Sequence, residues 1–263
     1  MKKLFLLASI AAVFSACSTE SLEPIGATDK NNITLEFENR VAAQSLVLND
    51  TKYTNTSGED FTITTLNYFI SNVAFKKTDG TVVKMPDQYF LVRQADKTSL
   101  MPVIKDVPAA DYIEMTFTIG VDSVKSISAV DQRTGVLDIA SYGTDNMYWS
   151  WNSGYIFFKM EGISSVAPTN AAGLKKYQYH VGGFGGRTAV TANNLRTVTL
   201  SLPAVAPVRK SKSPTIHLIA DISKVFSGVS PLKIANGAVV MSPAAAGPIA
   251  NNYAKVFTVD HIH

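Results

Sequence analysis

One stretch of the sequence, residues 147–158, reads MYWSWNSGYIFF. It holds both tryptophans of the chain, Trp149 and Trp151, at the two-residue spacing that places side chains on one face of a strand. Tyr155 and Phe157 continue that register, and Gly154 marks a bulge or a close backbone approach. The pattern predicts a strand with a one-sided aromatic stripe. The polar residues between the rings leave two interpretations open, a plain core strand or a face that lines a site.

The rest of the chain alternates in the same way over short segments. Residues 33–39 alternate apolar and polar side chains, and Ile113, Met115, Phe117 and Ile119 alternate with polar residues further along. Turn signals separate these segments. The pattern predicts an all-β fold, a β-sandwich of antiparallel strands with one or two short helical insertions. Residues 122–140 are the main candidate for such an insertion.

The N-terminus has the features of an export signal. Lys2 and Lys3 precede an apolar run over residues 4–14, and small residues lead into Cys17. We predict a lipoprotein signal peptide over residues 1–17 with lipid attachment at Cys17. An ordinary signal peptide with an unmodified cysteine is the alternative. Residues 18–31 are predicted to form a flexible tether, and residues 32–263 a single domain. The expected location is the outer membrane, facing the periplasm or exposed at the surface.

Charge and cysteine content exclude several classes of protein. The chain has 24 basic and 21 acidic residues, and loss of Lys2 and Lys3 leaves 22 against 21, a mature net charge of about +1. This balance gives no electrostatic basis for binding nucleic acid. Cys17 is the only cysteine, so an internal disulfide or a thiolate metal site is excluded.

Four histidines, all in predicted strands, are the candidate metal ligands. They are His180, His217, His261 and His263, and the last two share a face by the period of two. Imidazole is the commonest metal ligand and suits copper or zinc. Methionine thioethers would favour Cu(I), and the chain offers Met115, Met147, Met160 and Met241. The histidines are far apart in sequence, so spacing alone does not select a ligand set.

Motifs for catalysis are missing from the sequence. It contains no Gly-x-Ser-x-Gly elbow and no His-Glu-x-x-His, and the glycines of residues 182–186 lack the Lys-Ser/Thr of a P-loop. No pair of carboxylates has a spacing that suggests acid–base work. The sequence therefore predicts a protein that is not an enzyme, with a tight bend beside His180.

Several motifs together resemble a known family. The segments are WSWNSGYIF (residues 149–157), YHVGGF (179–184), YFISNV (68–73) and the terminal VDHIH (259–263). They resemble the MbnP-like proteins, exported copper-binding proteins named for a member encoded beside methanobactin genes. The chain is similar to a Bacteroidetes-type lipoprotein member, over about residues 32–263.

The resemblance implies a β-rich fold and a copper site that uses histidine. It also implies a partner, a di-haem enzyme of the MauG-like type called MbnH, which oxidises a tryptophan to kynurenine. Carried onto this chain, the modified residue is Trp149 or Trp151. The copper ligands come from His180, His217, His263 and His261, in that order of preference, with copper as Cu(I) or Cu(II).

Two other functions remain as alternatives. The aromatic side chains Trp149, Trp151 and Tyr155 would form an exposed stacking platform in a ligand- or carbohydrate-binding β-sandwich lipoprotein. In a structural lipoprotein without metal, the same rings would lie in the core. Burial of the indoles distinguishes the platform from the core.

Overall fold

The structure is a computed structural model that describes residues 22–150 and 154–263. Strands are the commonest secondary structure of the described chain, and they form a five-stranded sheet, a nine-stranded sheet and a two-stranded ribbon. The predicted all-β sandwich is confirmed. The predictions for Cys17 and Trp151 lie outside the described residues.

The strands vary greatly in length, from two residues to thirteen. They are β1 (Lys30–Val41), β2 (Gln44–Ser45), β3 (Tyr53–Thr54), β4 (Asp60–Phe61), β5 (Thr65–Lys77), β6 (Val82–Lys84), β7 (Tyr89–Arg93), β8 (Val103–Pro108), β9 (Ala110–Ile119), β10 (Tyr148–Trp149), β11 (Gly154–Ile163), β12 (Lys176–Gly182), β13 (Arg196–Val208), β14 (Thr215–Asp221), β15 (Val239–Val240) and β16 (Phe257–Ile262).

Helical segments are short and fall between strands. The α-helices are α1 (Ser123–Ile127), α2 (Lys224–Ser227) and α3 (Gly247–Tyr253). The 3₁₀ turns are Lys97–Leu100, Val130–Gln132, Gly135–Leu137, Ile139–Asp145 and Ile234–Asn236. The predicted insertion at residues 122–140 is therefore helical and runs on to Asp145. Across the part of the chain described, no helix is both long and apolar enough to cross a membrane.

Strand order differs from a simple antiparallel sandwich. The five-stranded sheet has the order β16-β14-β1-β2, with β8 also paired to β1, and the larger sheet has β13-β9-β5-β11-β12-β15. In addition, β10 pairs with β11, and both β6 and β7 pair with β5. The central pair β1–β14 runs parallel, and so does β12–β15. A parallel pair needs a long crossover, which the intervening chain between β1 and β14 supplies.

The space between the two large sheets is the main core. In β1 the inward residues Ile33, Leu35 and Phe37 are buried, as their alternation predicts. Strand β9 departs from strict alternation. Met115, Phe117 and Ile119 are buried, but Ile113 is half-exposed and Tyr112 takes the inward position instead. The pairing with β5 shifts at this point, so a bulge moves one side chain to the other face.

The 147–158 segment is a hairpin, and the prediction of one continuous strand is wrong. Tyr148 pairs with Tyr155 and Trp149 pairs with Gly154, so the chain reverses between β10 and β11. Gly154 has φ of 69°, a left-handed conformation that side chains other than glycine adopt at a cost. The sequence between the two paired strands has the polar composition that is typical of a turn.

The nine-stranded sheet is covered on both faces. Phe69, Leu91 and Phe157 pack in a second core, while their neighbours Tyr68 and Phe158 face the main core. Residues of the helical insertion and its two flanks complete the second core from outside: Val121, Leu137, Tyr142 and Met147. The insertion is thus a third layer, and it explains why β11 is buried on both sides.

Asp122 fixes the start of this insertion. Its side chain accepts a hydrogen bond from the main chain of Lys125 as the N-cap of α1, and the Tyr89 hydroxyl donates to it at 2.6 Å. Burial opposes ionisation of Asp122, but the hydrogen bonds from Tyr89, Lys125 and Asn72 outweigh it and lower the pKa of the carboxyl.

A buried polar bridge ties the two sheets together. The Asn39 amide on β1 donates to Gln94 Oε1 at 2.9 Å, and the Tyr68 hydroxyl on β5 donates to Asn39 Oδ1 at 3.0 Å. Gln94 in turn donates to the Leu46 carbonyl at 2.8 Å. Asn39 is 3% exposed, so each of these groups has exchanged water for a protein partner.

We expect Asn39→Leu to destabilise the fold by about 3 kcal/mol, because it leaves the Tyr68 hydroxyl and Gln94 Oε1 buried without partners. Tyr68→Phe is the matched control. It removes only one hydrogen bond and should cost about 1 kcal/mol. Urea unfolding measures both. Equal effects of the two variants would show that Asn39 is not the centre of the bridge.

We expect Asp122→Ala to lower stability at pH 7 by about 1–2 kcal/mol through loss of the helix cap. The pKa of Asp122 is depressed in the folded state, so its contribution is full above the ordinary carboxyl pKa and is lost as the pH falls below about 4. The difference between wild type and variant should therefore shrink at pH 3. Urea titrations at the two pH values measure it, and a constant difference would contradict the assignment.

Candidate metal centre

A bulge at the edge of the five-stranded sheet brings three ligand-type side chains together. Ile216 pairs with Ile262 and Leu218 pairs with Val259, so His217 faces two residues, Asp260 and His261. The extra residue lets both side chains lie beside His217 although they are adjacent in sequence. The strict alternation used for sequence prediction would have placed them on opposite faces.

The three side chains are in direct contact. Asp260 Oδ2 lies 3.2 Å from His217 Nδ1 and 2.8 Å from His261 Nδ1. These hydrogen bonds, first from His261 and then from His217, lower the pKa of the Asp260 carboxyl. The His217 and His261 rings have centroids 4.8 Å apart, and the His263 ring lies 4.9 Å beyond His261. Three of the four candidate histidines thus form one row.

Acidic residues of β1 flank the row. His263 Nε2 lies 3.3 Å from Glu36 Oε2, and His217 Nε2 lies 3.4 Å from Glu38 Oε2. Arg40 donates to both oxygens of Glu38 at 2.7 Å, and this pairing lowers the pKa of the Glu38 carboxyl. The β1 carboxylates face outward because their neighbours Leu35 and Phe37 face the core.

The arrangement is suited to a divalent transition metal. One ligand atom from each of His217, Asp260 and His261 lies within 4.8 Å of the others. Ligands on one ion at about 2 Å can be no more than about 4 Å apart, so a small side-chain closure completes the site. His217 is buried at 9% exposure, whereas His261 and Asp260 are exposed, which leaves one side open to water or an exchange partner.

His180 lies elsewhere. It is on β12, on the outer face of the nine-stranded sheet, because its neighbours Tyr179 and Val181 face the main core. His217 is on the outer face of the other sheet. Packed sheets are about 10 Å apart and these faces point away from each other, so His180 and His217 cannot ligate the same ion.

His180 is paired with a buried carboxylate. Its Nε2 lies 2.6 Å from Glu161 Oε1, and both side chains are about a tenth exposed. Lys176 Nζ lies 2.6 Å from the other Glu161 oxygen. Burial opposes the charge of Glu161, but the hydrogen bonds from His180 and Lys176 outweigh it and hold the pKa of the carboxyl far below its ordinary range.

Trp149 packs next to this pair along the sheet. A Cβ on Gly182 would lie 2.7 Å from Trp149 Cζ3 and 2.5 Å from the Tyr155 carbonyl oxygen, so only glycine fits there. Gly182 is two residues from His180 on the same face of β12. The glycine-rich segment therefore does allow a close approach, with the indole of Trp149 as the group that approaches.

The burial of the aromatic residues decides between the two roles predicted for them, an exposed stacking platform and a part of the core. Trp149 is 8% exposed and Tyr155 is fully buried, so neither belongs to an exposed stacking platform. Met115, Met147 and Met160 are enclosed in the two cores. The donors gathered at the histidine row are therefore nitrogen and oxygen, a set that suits divalent ions better than Cu(I).

Sequence reasoning missed Asp260, Glu36 and Glu38. The one available signal was the run Asp260-His261-Ile262-His263, where a carboxylate and two imidazoles lie within four residues. No local signal in the sequence pointed to the two glutamates. Glu36 lies opposite His217 because β1 and β14 pair in parallel, and this pairing depends on a long crossover.

Comparison with known proteins identifies one solved structure with a similar fold. No curated protein matches the chain. Among solved structures, MbnP from Methylosinus trichosporium is similar with a TM-score of 0.54 and 14% identity, over 88% of this chain and 98% of that one. At this identity the likeness concerns the fold.

The match to a family model is more specific. The MbnP family model matches residues 30–242, which include Trp149, His180 and His217. Asp260, His261 and His263 lie beyond the matched range. Since the match covers far more than half of the chain and the solved fold agrees, the chain belongs to the MbnP family.

Proposed function

We propose that this protein is an exported, lipid-anchored copper-binding protein. The observation that carries the proposal is the convergence of His217, Asp260 and His261, with His263 beside them. Imidazole with carboxylate is a donor set for Cu(II), which binds such ligands more tightly than other divalent first-row metals. Copper would be held by His217 and His261, with Asp260 or water as a further ligand.

The surroundings of the cluster support a binding role. Metal-ligating imidazoles are commonly oriented by a carboxylate on the other ring nitrogen, and here Glu38 lies by Nε2 of His217 while Asp260 lies by its Nδ1. Arg40 holds Glu38 in place through two hydrogen bonds. These contacts orient the rings before a metal arrives.

His180 supports a second candidate site. It is bound through one ring nitrogen to Glu161, the same carboxylate–histidine arrangement, and lies two residues along β12 from the Gly182 that packs on Trp149. Trp149 or Trp151 would be the tryptophan that a MauG-like di-haem partner such as MbnH oxidises to kynurenine. The new carbonyl and amine could then ligate or hydrogen-bond near His180.

The N-terminal features complete the proposal. Export and lipid attachment at Cys17 would place the domain at the outer membrane, facing the periplasm or the surface. In that position it would receive copper and meet a di-haem oxidase. We assign it a binding role and no catalysis.

Copper titration of single variants distinguishes the two sites. We expect His217→Ala and His261→Ala each to weaken Cu(II) binding by about tenfold or more, while His180→Ala leaves it unchanged. Electron paramagnetic resonance of the bound Cu(II) should show nitrogen couplings that are reduced in the two cluster variants. Loss of binding only in His180→Ala would overturn the cluster in favour of the second site.

Intact mass of the mature protein from its native host tests the tryptophan proposal. Conversion of tryptophan to kynurenine adds about 4 Da, since one oxygen is gained and one carbon is lost. Trp149→Phe and Trp151→Phe identify the target, because only the variant at the modified position should lose the mass shift. An unmodified mass in protein expressed with its oxidase would contradict the proposal.

A further inference from the structure

A cleft outside both candidate metal sites opens beside the middle of β12, where β15 pairs with it. Its volume is about 280 Å³. Side chains from β12, β15, α3 and the segments between them form its walls, which are mostly apolar: Tyr179, Leu232, Val240, Ala245, Pro248 and Ile249. Lys233 and Asn236 border the mouth. A cleft of this size accommodates a small molecule of one ring.

Tyr179 is the polar group in the wall. Its side chain is 1% exposed, and its hydroxyl makes no hydrogen bond to any residue that the structure describes. Its neighbour Tyr177 shows the usual arrangement, with its hydroxyl donating to the Thr62 carbonyl at 2.9 Å. Buried tyrosine hydroxyls normally find a partner, so the Tyr179 hydroxyl is a donor available to a ligand in the cleft.

The electrostatics of the cleft favour an uncharged ligand. Burial, and then the nearby Glu59 carboxylate, raise the pKa of Tyr179 far above its ordinary value, so the phenol stays neutral. Glu59 is itself buried and accepts hydrogen bonds from the main chain of Ile234 and Ala235. The positive charge of Lys233 at the mouth helps to lower the pKa of the Glu59 carboxyl, and it opposes the negative charge of that group.

We propose that the cleft binds a small, neutral, amphiphilic molecule, with an apolar body against Leu232, Val240 and Ile249 and an acceptor oxygen on the Tyr179 hydroxyl. The site is separate from the proposed copper function. Tyr179 faces the interior of the sandwich, whereas His180 and His217 face outward from the two sheets. Copper loading and ligand binding can therefore be measured independently.

Two probes of the same shape test the proposal. Acetophenone has an acceptor carbonyl, and ethylbenzene has none. In a nuclear magnetic resonance titration of the full chain, acetophenone should bind about three- to tenfold more tightly than ethylbenzene, as expected for one hydrogen bond. The amide shifts that move should be those around Val240 and Ile249.

Two variants distinguish the contribution of the Tyr179 hydrogen bond from that of the apolar walls of the cleft. Tyr179→Phe should remove the preference for acetophenone and leave ethylbenzene binding unchanged, and it should fold normally because the hydroxyl has no partner to lose. Ala245→Trp, at an exposed position on the wall, should block both probes. Absence of binding by either probe, or a preference that survives Tyr179→Phe, would overturn the proposal.

Discussion

One aromatic ring joins the two sheets of the sandwich. The Phe257 centroid lies 5.2 Å from Phe117, 5.7 Å from Tyr68 and 6.1 Å from Phe37, and all three contacts are edge-to-face. These partners belong to β9, β5 and β1, so the first residue of β16 contacts both layers. The other end of β16 carries Asp260 and His261. Packing of Phe257 in the core therefore sets where Asp260 and His261, the candidate metal ligands, lie, and their position depends on closure of the sandwich.

Bulges then decide which side chains meet. On β16 the extra residue opposite His217 turns two consecutive residues, Asp260 and His261, toward one imidazole. On β9 a similar irregularity replaces Ile113 by Tyr112 in the core. In both strands a shift of one residue exchanges the faces of the side chains beyond it. At β9 the shift changes which side chain packs in the core. At β16 it brings Asp260 and His261 together beside His217 as candidate metal ligands.

The sandwich keeps its two histidine sites apart. The row that contains His217 lies on the outer face of the smaller sheet, which is open to solvent. His180 lies on the outer face of the larger sheet, two residues along β12 from Gly182, which packs against Trp149. An exposed cluster suits exchange of a metal, whereas the enclosed pair His180–Glu161 is suited to holding a fixed geometry. The match to the MbnP family model includes His180 and His217 but ends before Asp260 and His261.

Much of the architecture was accessible from the sequence by itself. Alternation in residues 33–39 predicted a half-buried strand, turn signals predicted many short strands, and the two together predicted the all-β sandwich. The helical insertion was also predicted, at residues 122–140. The four histidines were identified as ligand candidates from residue type alone, since imidazole is a metal ligand in any fold.

Tertiary structure decided what those residues can do together. The 147–158 segment turned out to be a hairpin, because alternation is the same on both arms and does not reveal a reversal of direction. The grouping of His217 with His261, and the exclusion of His180 from that group, follow from strand order and a bulge that no local pattern encodes. Pairing between strands that are distant in sequence is fixed by packing of the whole core, and local periodicity contains no information about it.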